Sequence, residues 1–268
     1  MSEKKLRLGL IGKDVSQSRS EEIHRFILGE WGYACEYEKF SVGKEDLDGV
    51  MRCLLGDFDG FNVTIPYKRD VMAYLDDMQG DALLYGAVNT VVCSQSKGYN
   101  TDGDGFDLML RLAGVSASEK KVLVLGGGGA ARSVAVRMKL SGGQVFVYRR
   151  NKEELKELCQ ELSVFEAKDC NEGGYDILVN CTGVGMHDSV GLSPVERRAF
   201  AGAEYAVDLI YNPEESEFLR LAKETGVSTL NGNAMLFYQA YFSDCYYTGR
   251  ASKDEEAQRL YHKFLARE

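Results

Sequence analysis

Residues 121–150 read KVLVLGGGGAARSVAVRMKLSGGQVFVYRR, and no other stretch narrows the fold of this chain so far. An apolar run, a glycine turn, a segment of helical spacing and a second apolar run make a βαβ opening, the crossover that adjacent parallel strands require. Within the turn Gly126, Gly128 and Ala131 fit the spacing G-x-G-x-x-A. Glycines there permit a tight turn and close backbone approach to a pyrophosphate, which the N-terminus of the next helix favours through its unpaired N–H groups and its dipole. A glycine turn can also do no more than join strand to helix. With strand, helix and second strand all in place, a dinucleotide site is the better reading.

The end of the second strand bears on which dinucleotide. A site for NAD usually carries Asp or Glu about 20 residues beyond the glycines, where the carboxylate binds the ribose 2′-hydroxyl. This chain has Tyr148-Arg149-Arg150-Asn151 instead. Two guanidiniums there suit a 2′-phosphate, which they can bind bidentately, so NADP is the expected cofactor. Glu153 and Glu154 just beyond weaken the local positive field, and exposed arginines at a strand end are the bland alternative.

The same alternation of short apolar runs with amphipathic segments covers most of the chain and predicts an α/β protein with largely parallel sheets. Strands are expected at 6–11, 35–41, 60–64 and 87–93, with helical patterns at 45–55 and 68–75 between them. Past the βαβ opening, strands are expected at 175–180 and 205–210 and helices at 152–162, 215–224, 233–247 and 254–266. Composition agrees with a folded chain: 268 residues, 44% hydrophobic and 27% charged, give room for one large or two ordinary domains. The net charge of -9 argues against nucleic acid or an anionic membrane as a general partner. Seven scattered cysteines without a CxxC pair fit a reducing cytoplasm better than a disulfide framework, and no apolar run is long enough to span a bilayer. The three histidines are far apart and lack metal-site spacing, so no catalytic metal is expected.

Asn62-Val63-Thr64-Ile65-Pro66-Tyr67-Lys68 ends an apparent buried strand abruptly on a proline and follows it with a lysine. Taken with Gly86-Ala87-Val88-Asn89-Thr90, Asn100-Thr101-Asp102-Gly103, the GGGGAAR turn, Asn180-Cys181-Thr182 and Met235-Leu236-Phe237-Tyr238-Gln239-Ala240, this ordered set resembles the shikimate dehydrogenase family over nearly the whole chain. The resemblance implies an N-terminal α/β substrate domain, residues 1–101 completed by 238–268. It also implies a Rossmann-like NADP-binding domain, 102–237, with a substrate cleft at their junction. The implied reaction is the reversible reduction of 3-dehydroshikimate to shikimate on the route to chorismate and aromatic amino acids.

The resemblance further implies Lys68 and Asp102 as the proton-transfer centre. Thr64, Asn89 and Gln239 would bind ring hydroxyls, and Ser18, Ser20 and Tyr211 the substrate carboxylate. Cofactor positions would be Gly126, Gly128, Gly129, Ala130 and Ala131 in the turn, Arg149 and Arg150 at the strand end, and Asn180, Thr182 and Gly232. Donors and acceptors around a small polyhydroxy acid make chemical sense, and hydroxyls can hold a carboxylate as arginine does. A small-molecule substrate is the expected partner, and a homodimer is left open.

The departures cluster at the substrate's edge. Where the family has a form like PxxHSxSPxxHN, this chain reads DVSQSRSEEIHR from Asp14 to Arg25; both serines and His24 remain, while two prolines, a histidine and an asparagine do not. Tyr85 precedes GAVNT in place of an aliphatic residue, Gly183 replaces a common serine, and Tyr247 stands where tryptophan is frequent. Reaction type is therefore better fixed than substrate. An enzyme acting on quinate, aminoshikimate or another cyclic hydroxy acid stays open, as does a non-catalytic NADP-binding sensor.

Overall fold

In the computed structural model, which describes residues 4–267, the strand β1 (Lys4–Gly12) buries its last five residues in succession. An unbroken buried run marks a strand covered on both faces, and β1 is central: β2 (Tyr33–Ser41) and β3 (Gly60–Val63) flank it, both parallel. The crossovers are α1 (Ser20–Glu30) and α2 (Leu47–Asp57). Because β1 and β3 are parallel neighbours, the segments that follow them leave the same edge of the sheet, where open α/β sheets bind ligands. Those segments carry Ser18, Ser20, Thr64 and Lys68.

Beyond β3 come β4 (Asp77–Met78), the short α3 (Asp81–Tyr85), β5 (Thr90–Val92) and β6 (Lys97–Tyr99), giving the order β2-β1-β3-β5-β6-β4. Here the expectation of largely parallel sheets needs correction, since β5 runs antiparallel to both β3 and β6. The link from β5 to β6 is one 3₁₀ turn, Cys93–Gln95, closed by Ser96 in the left-handed region at φ 49°, and so short a link can only reverse the chain. The helix expected at 68–75 is likewise a 3₁₀ turn, Asp70–Tyr74.

A second unit begins within α4 (Asp102–Leu112). It contains β7 (Lys121–Leu125), α5 (Gly129–Leu140), β8 (Gln144–Tyr148), α6 (Lys152–Leu162), β9 (Phe165–Glu166), β10 (Ile177–Asn180), β11 (Tyr205–Asp208), α7 (Glu217–Glu224) and β12 (Ser228–Leu230). The six strands are parallel throughout, in the order β12-β11-β10-β7-β8-β9. Read from the other edge this is the doubly wound dinucleotide-binding order, with its switch point between β7 and β10. The chain ends in α8 (Asn233–Thr248) and α9 (Asp254–Leu265). One compact unit takes the chain up to Leu108 and again from Leu236; the other is Met109–Met235.

Candidate active site

Strand β3 stops at Val63 because the next residues turn: Tyr67 N–H donates to Thr64 O at 3.0 Å, and the Ile65–Pro66 peptide is cis. Tyr67 anchors the turn by burying its ring and donating its hydroxyl to Val42 O at 2.5 Å. Lys68 is thereby fixed by its own backbone, whose carbonyl accepts Val88 N–H at 2.7 Å. Its ammonium points inward and donates to Asp102 Oδ2 at 2.6 Å, with both residues under 10% exposed. Lys68 is thus a buried partner of a carboxylate 34 residues away in sequence.

Asp102 begins α4, where Asn100 Oδ1 accepts its backbone N–H at 3.0 Å. Its second oxygen, Oδ1, accepts Asn89 Nδ2 at 2.8 Å. The orientation of that amide is forced. Backbone Thr101 N–H and the Thr90 hydroxyl both donate to Asn89 Oδ1 at 2.9 Å, which turns Nδ2 toward the carboxylate. Gln239 of α8 joins through Oε1, 3.5 Å from Asn89 Nδ2, and its own Nε2 donates to Leu236 O at 2.8 Å. Lys68, Asp102, Asn89 and Gln239 are thus brought together. Thr64 sits at the end of β3, half-buried, its methyl where any Cβ on Gly12 would intrude at 2.5 Å.

Beneath this cluster lies a polar layer that sequence reasoning did not single out. Ser243, one turn after Gln239 and fully buried, is 2.7 Å from Thr90 Oγ1 and 3.1 Å from Thr101 Oγ1, and its hydroxyl donates to Gln239 O at 2.9 Å. Asn62 Nδ2 donates to Ser243 Oγ at 3.2 Å, while Asn62 Oδ1 accepts the Tyr37 hydroxyl at 3.3 Å. Burial pushes the Tyr37 phenol well above its ordinary value, so it stays a neutral donor. The only signal in the sequence is a serine four residues past Gln239, on the same helix face.

Ser18 and Ser20 lie together at the start of α1. Ser18 Oγ donates to Ser20 Oγ at 3.0 Å and accepts Ser20 N–H at 3.2 Å. Lys39 Nζ donates to Ser18 O at 2.7 Å. Tyr211 belongs to the other unit, half-buried just past β11.

In that second unit the glycine turn follows β7 at the switch point. Gly126 has φ +120°, and a Cβ there would lie 3.1 Å from Cys181 O, so the first glycine is required by both conformation and packing. At Gly128 a Cβ would meet nothing within 4 Å, leaving open space in front of the first turn of α5, whose N-cap makes no side-chain hydrogen bond. Gly129, Ala130 and Ala131 open that helix. An open space facing the unpaired N–H groups of a twelve-residue helix fits a pyrophosphate. Arg149 lies over Gly127 and ion-pairs with Glu154 in the first turn of α6; Arg150 is exposed and, among the described residues, makes no ion pair. Asn180 is fully buried, its Oδ1 accepting Thr182 N–H at 3.0 Å and its Nδ2 donating to Asp208 Oδ1 at 3.0 Å, so it shapes the turn that presents Thr182. Asp208 also takes the Ser216 hydroxyl at 2.5 Å, and burial raises its carboxyl above the ordinary range despite these bonds. Gly232 carries a packing demand, since a Cβ there would lie 2.1 Å from Leu209 O.

A doubly wound unit with a phosphate cradle, carried on a chain that also holds a buried lysine–aspartate pair amid amides and hydroxyls, defines a dinucleotide-dependent oxidoreductase of alcohols. Residues 10–91 match the family model described as the shikimate dehydrogenase substrate binding domain. The NADP(+)-dependent shikimate dehydrogenase of Caldanaerobacter subterraneus subsp. tengcongensis is 38% identical over 257 residues, 90% of this chain and 91% of that protein. Among solved structures, shikimate dehydrogenase 1 from Peptoclostridium difficile superposes with a TM-score of 0.88 at 32% identity, covering 96% of this chain and 97% of that one. The Thermus thermophilus shikimate 5-dehydrogenase, solved in complex with NADP(H) and shikimate, gives 0.87 at 31% identity over 97% and 99%. The chain belongs to the shikimate dehydrogenase family.

Proposed function

We propose that this chain is an NADP-dependent shikimate dehydrogenase that reversibly reduces 3-dehydroshikimate to shikimate. The observation that carries the reading is the buried Lys68–Asp102 pair at 2.6 Å, an arrangement suited to moving a proton at an alcohol or carbonyl oxygen. Membership of the family supplies the substrate, and the residues fit it.

NADPH, when bound, supplies the hydride. As negative charge builds on the carbonyl oxygen, the Lys68 ammonium stabilises it and delivers a proton; in the oxidation direction the amine takes that proton back. Asp102 Oδ2 holds the ammonium, and Asn89, fixed by Thr101 and Thr90, holds Asp102, so the donor is in place before charge develops. Thr64, Asn89 and Gln239 orient the ring hydroxyls, and Ser18 and Ser20 with Tyr211 take the carboxylate. The Gly126–Ala131 turn, Thr182 and the turn residues Asn180 and Gly232 hold the dinucleotide. Arg149 and Arg150 take its 2′-phosphate, although Glu154 competes for Arg149.

A homodimer belongs to the same reading and is checked by sedimentation at micromolar concentration. A cytoplasmic location is supported by seven free cysteines, and among the described residues no helix is long and apolar enough to cross a membrane.

The test is oxidation of NADPH with 3-dehydroshikimate and reduction of NADP with shikimate, quinate and other cyclic hydroxy acids. Shikimate should have the highest kcat/KM. Charge-assisted bonds worth roughly 1.5–3 kcal/mol each should favour NADP over NAD by at least about tenfold. Quinate in first place would overturn the substrate, cofactor binding without turnover on any acid would leave a sensor, and equal kcat/KM for the two cofactors would sink the arginine assignment.

A further inference from the structure

We infer that Lys39 is a specificity-determining residue, the cation that selects a carboxylate at Ser18 and Ser20; this rests on the substrate class proposed above. The cation nearest in sequence, Arg19 between the two serines, bonds Glu22 at 3.2 Å and lies over the Phe264 ring. Lys39, 21 residues away, has an ammonium that reaches the serine loop, donating to Ser18 O at 2.7 Å.

The sheet dictates that placement. Lys39 stands opposite Leu10 in the β1–β2 register, near the carboxyl ends of both strands, and two residues past buried Tyr37, so the two side chains share a face. On that face Tyr37 stacks on His24 of α1 with ring centroids 5.2 Å apart, which aims Lys39 at the start of the same helix. The side chain is half-buried, and among the described residues it makes no ion pair. An ammonium without a carboxylate partner is free to pair with an anion that enters the loop. One of its three N–H donors is spent on Ser18 O, leaving donors and a whole positive charge at the backbone of the loop whose two hydroxyls bond each other. A substrate carboxylate on those hydroxyls completes the pair, with Ser18 held in register by the same lysine.

The experiment compares wild type, Lys39→Met and Lys39→Arg by calorimetric binding of shikimate and of its neutral carboxamide, and by steady-state kinetics with shikimate and NADP. Lys39→Met should weaken shikimate binding and raise its KM about tenfold, leave kcat within about threefold and the KM for NADP unchanged, and bind the carboxamide as wild type does. Lys39→Arg should recover most of the loss. Added salt should weaken shikimate binding in wild type more than in Lys39→Met. Equal losses for acid and amide, or an unchanged KM for shikimate in a folded Lys39→Met protein, would overturn the inference while leaving the enzyme reading intact. A wild type that turns over and binds no shikimate would overturn that reading and this inference with it.

Discussion

Lys68 and Asp102 are each stabilised by the other, and removing either does two separable things. In the proposed reaction Lys68→Met takes away the group that meets the developing oxyanion, so kcat should fall about 100-fold or more with KM little changed. It also leaves Asp102 buried with Asn89 alone, and breaking a buried pair from one side costs roughly 3–5 kcal/mol of stability. Asp102→Asn keeps the shape and removes the charge, and should also lower kcat. Stopped-time assays on protein whose circular dichroism matches wild type separate the two effects; a folded Lys68→Met enzyme within threefold of wild type would return the lysine to a structural role. These two residues, Asn89 and Gln239 were legible because each sits in a short motif and the motifs come in a known order. Lys39 and Ser243 were not. Their meaning lies in partners 21 residues away for one and 142 to 181 away for the other, and the spacing of Ser243 from Gln239 is a mark too common on helices to single it out.

At the scale of elements, legibility followed local chemistry. The helix expected at 152–162 is Lys152–Leu162 because Asn151 caps it, its side chain accepting Glu154 N–H at 3.2 Å, and because Leu155, Leu158, Cys159 and Leu162 recur at helical spacing. The helix α1 was missed: its first turns read Ser-Glu-Glu-Ile-His-Arg, and a fully buried histidine supplies part of the apolar face. No pattern reading could foresee how closely α4 and α8 approach. A Cβ on Gly105 of α4 would lie 2.6 Å from the backbone nitrogen of Gln239 in α8, so the glycine is where two helix backbones meet under the candidate site. Gly105→Ala should therefore push Gln239 off the site, raising the KM for shikimate several-fold and lowering stability by about 1–3 kcal/mol. Gly49→Ala in α2 is the control, since a Cβ there meets nothing within 4 Å and the change should stabilise by roughly 0.5–1 kcal/mol. Equal denaturation midpoints for the two variants would show that α8 has room to move.

Over the whole chain, the return of the C-terminal helices to the first unit is sealed by an interaction spanning 220 residues: His24 Nδ1 of α1 and Asp244 Oδ1 of α8 are 2.7 Å apart, both with no exposed side-chain surface. Nothing in either segment's pattern announced the pair, because a buried histidine and a buried aspartate each read as polar surface until they face each other. Around them lie Tyr37, Tyr247 and Cys35. Burial pushes the Asp244 carboxyl up to about 6, against the pull of His24, which lowers it. An unfolded aspartate titrates near 3.9, so between those values the native state keeps a proton the unfolded chain has released. A raised folded value contributes stability that is fully present below the unfolded pKa and is lost as pH rises through the folded one. Urea denaturation of wild type and Asp244→Asn from pH 4 to pH 7 should therefore diverge. The two should be alike near pH 4, with wild type losing roughly 2–3 kcal/mol relative to the amide by about pH 6 to 7. A stability difference that stays constant across that range would mean that Asp244 is ionised throughout, in the folded chain as in the unfolded one.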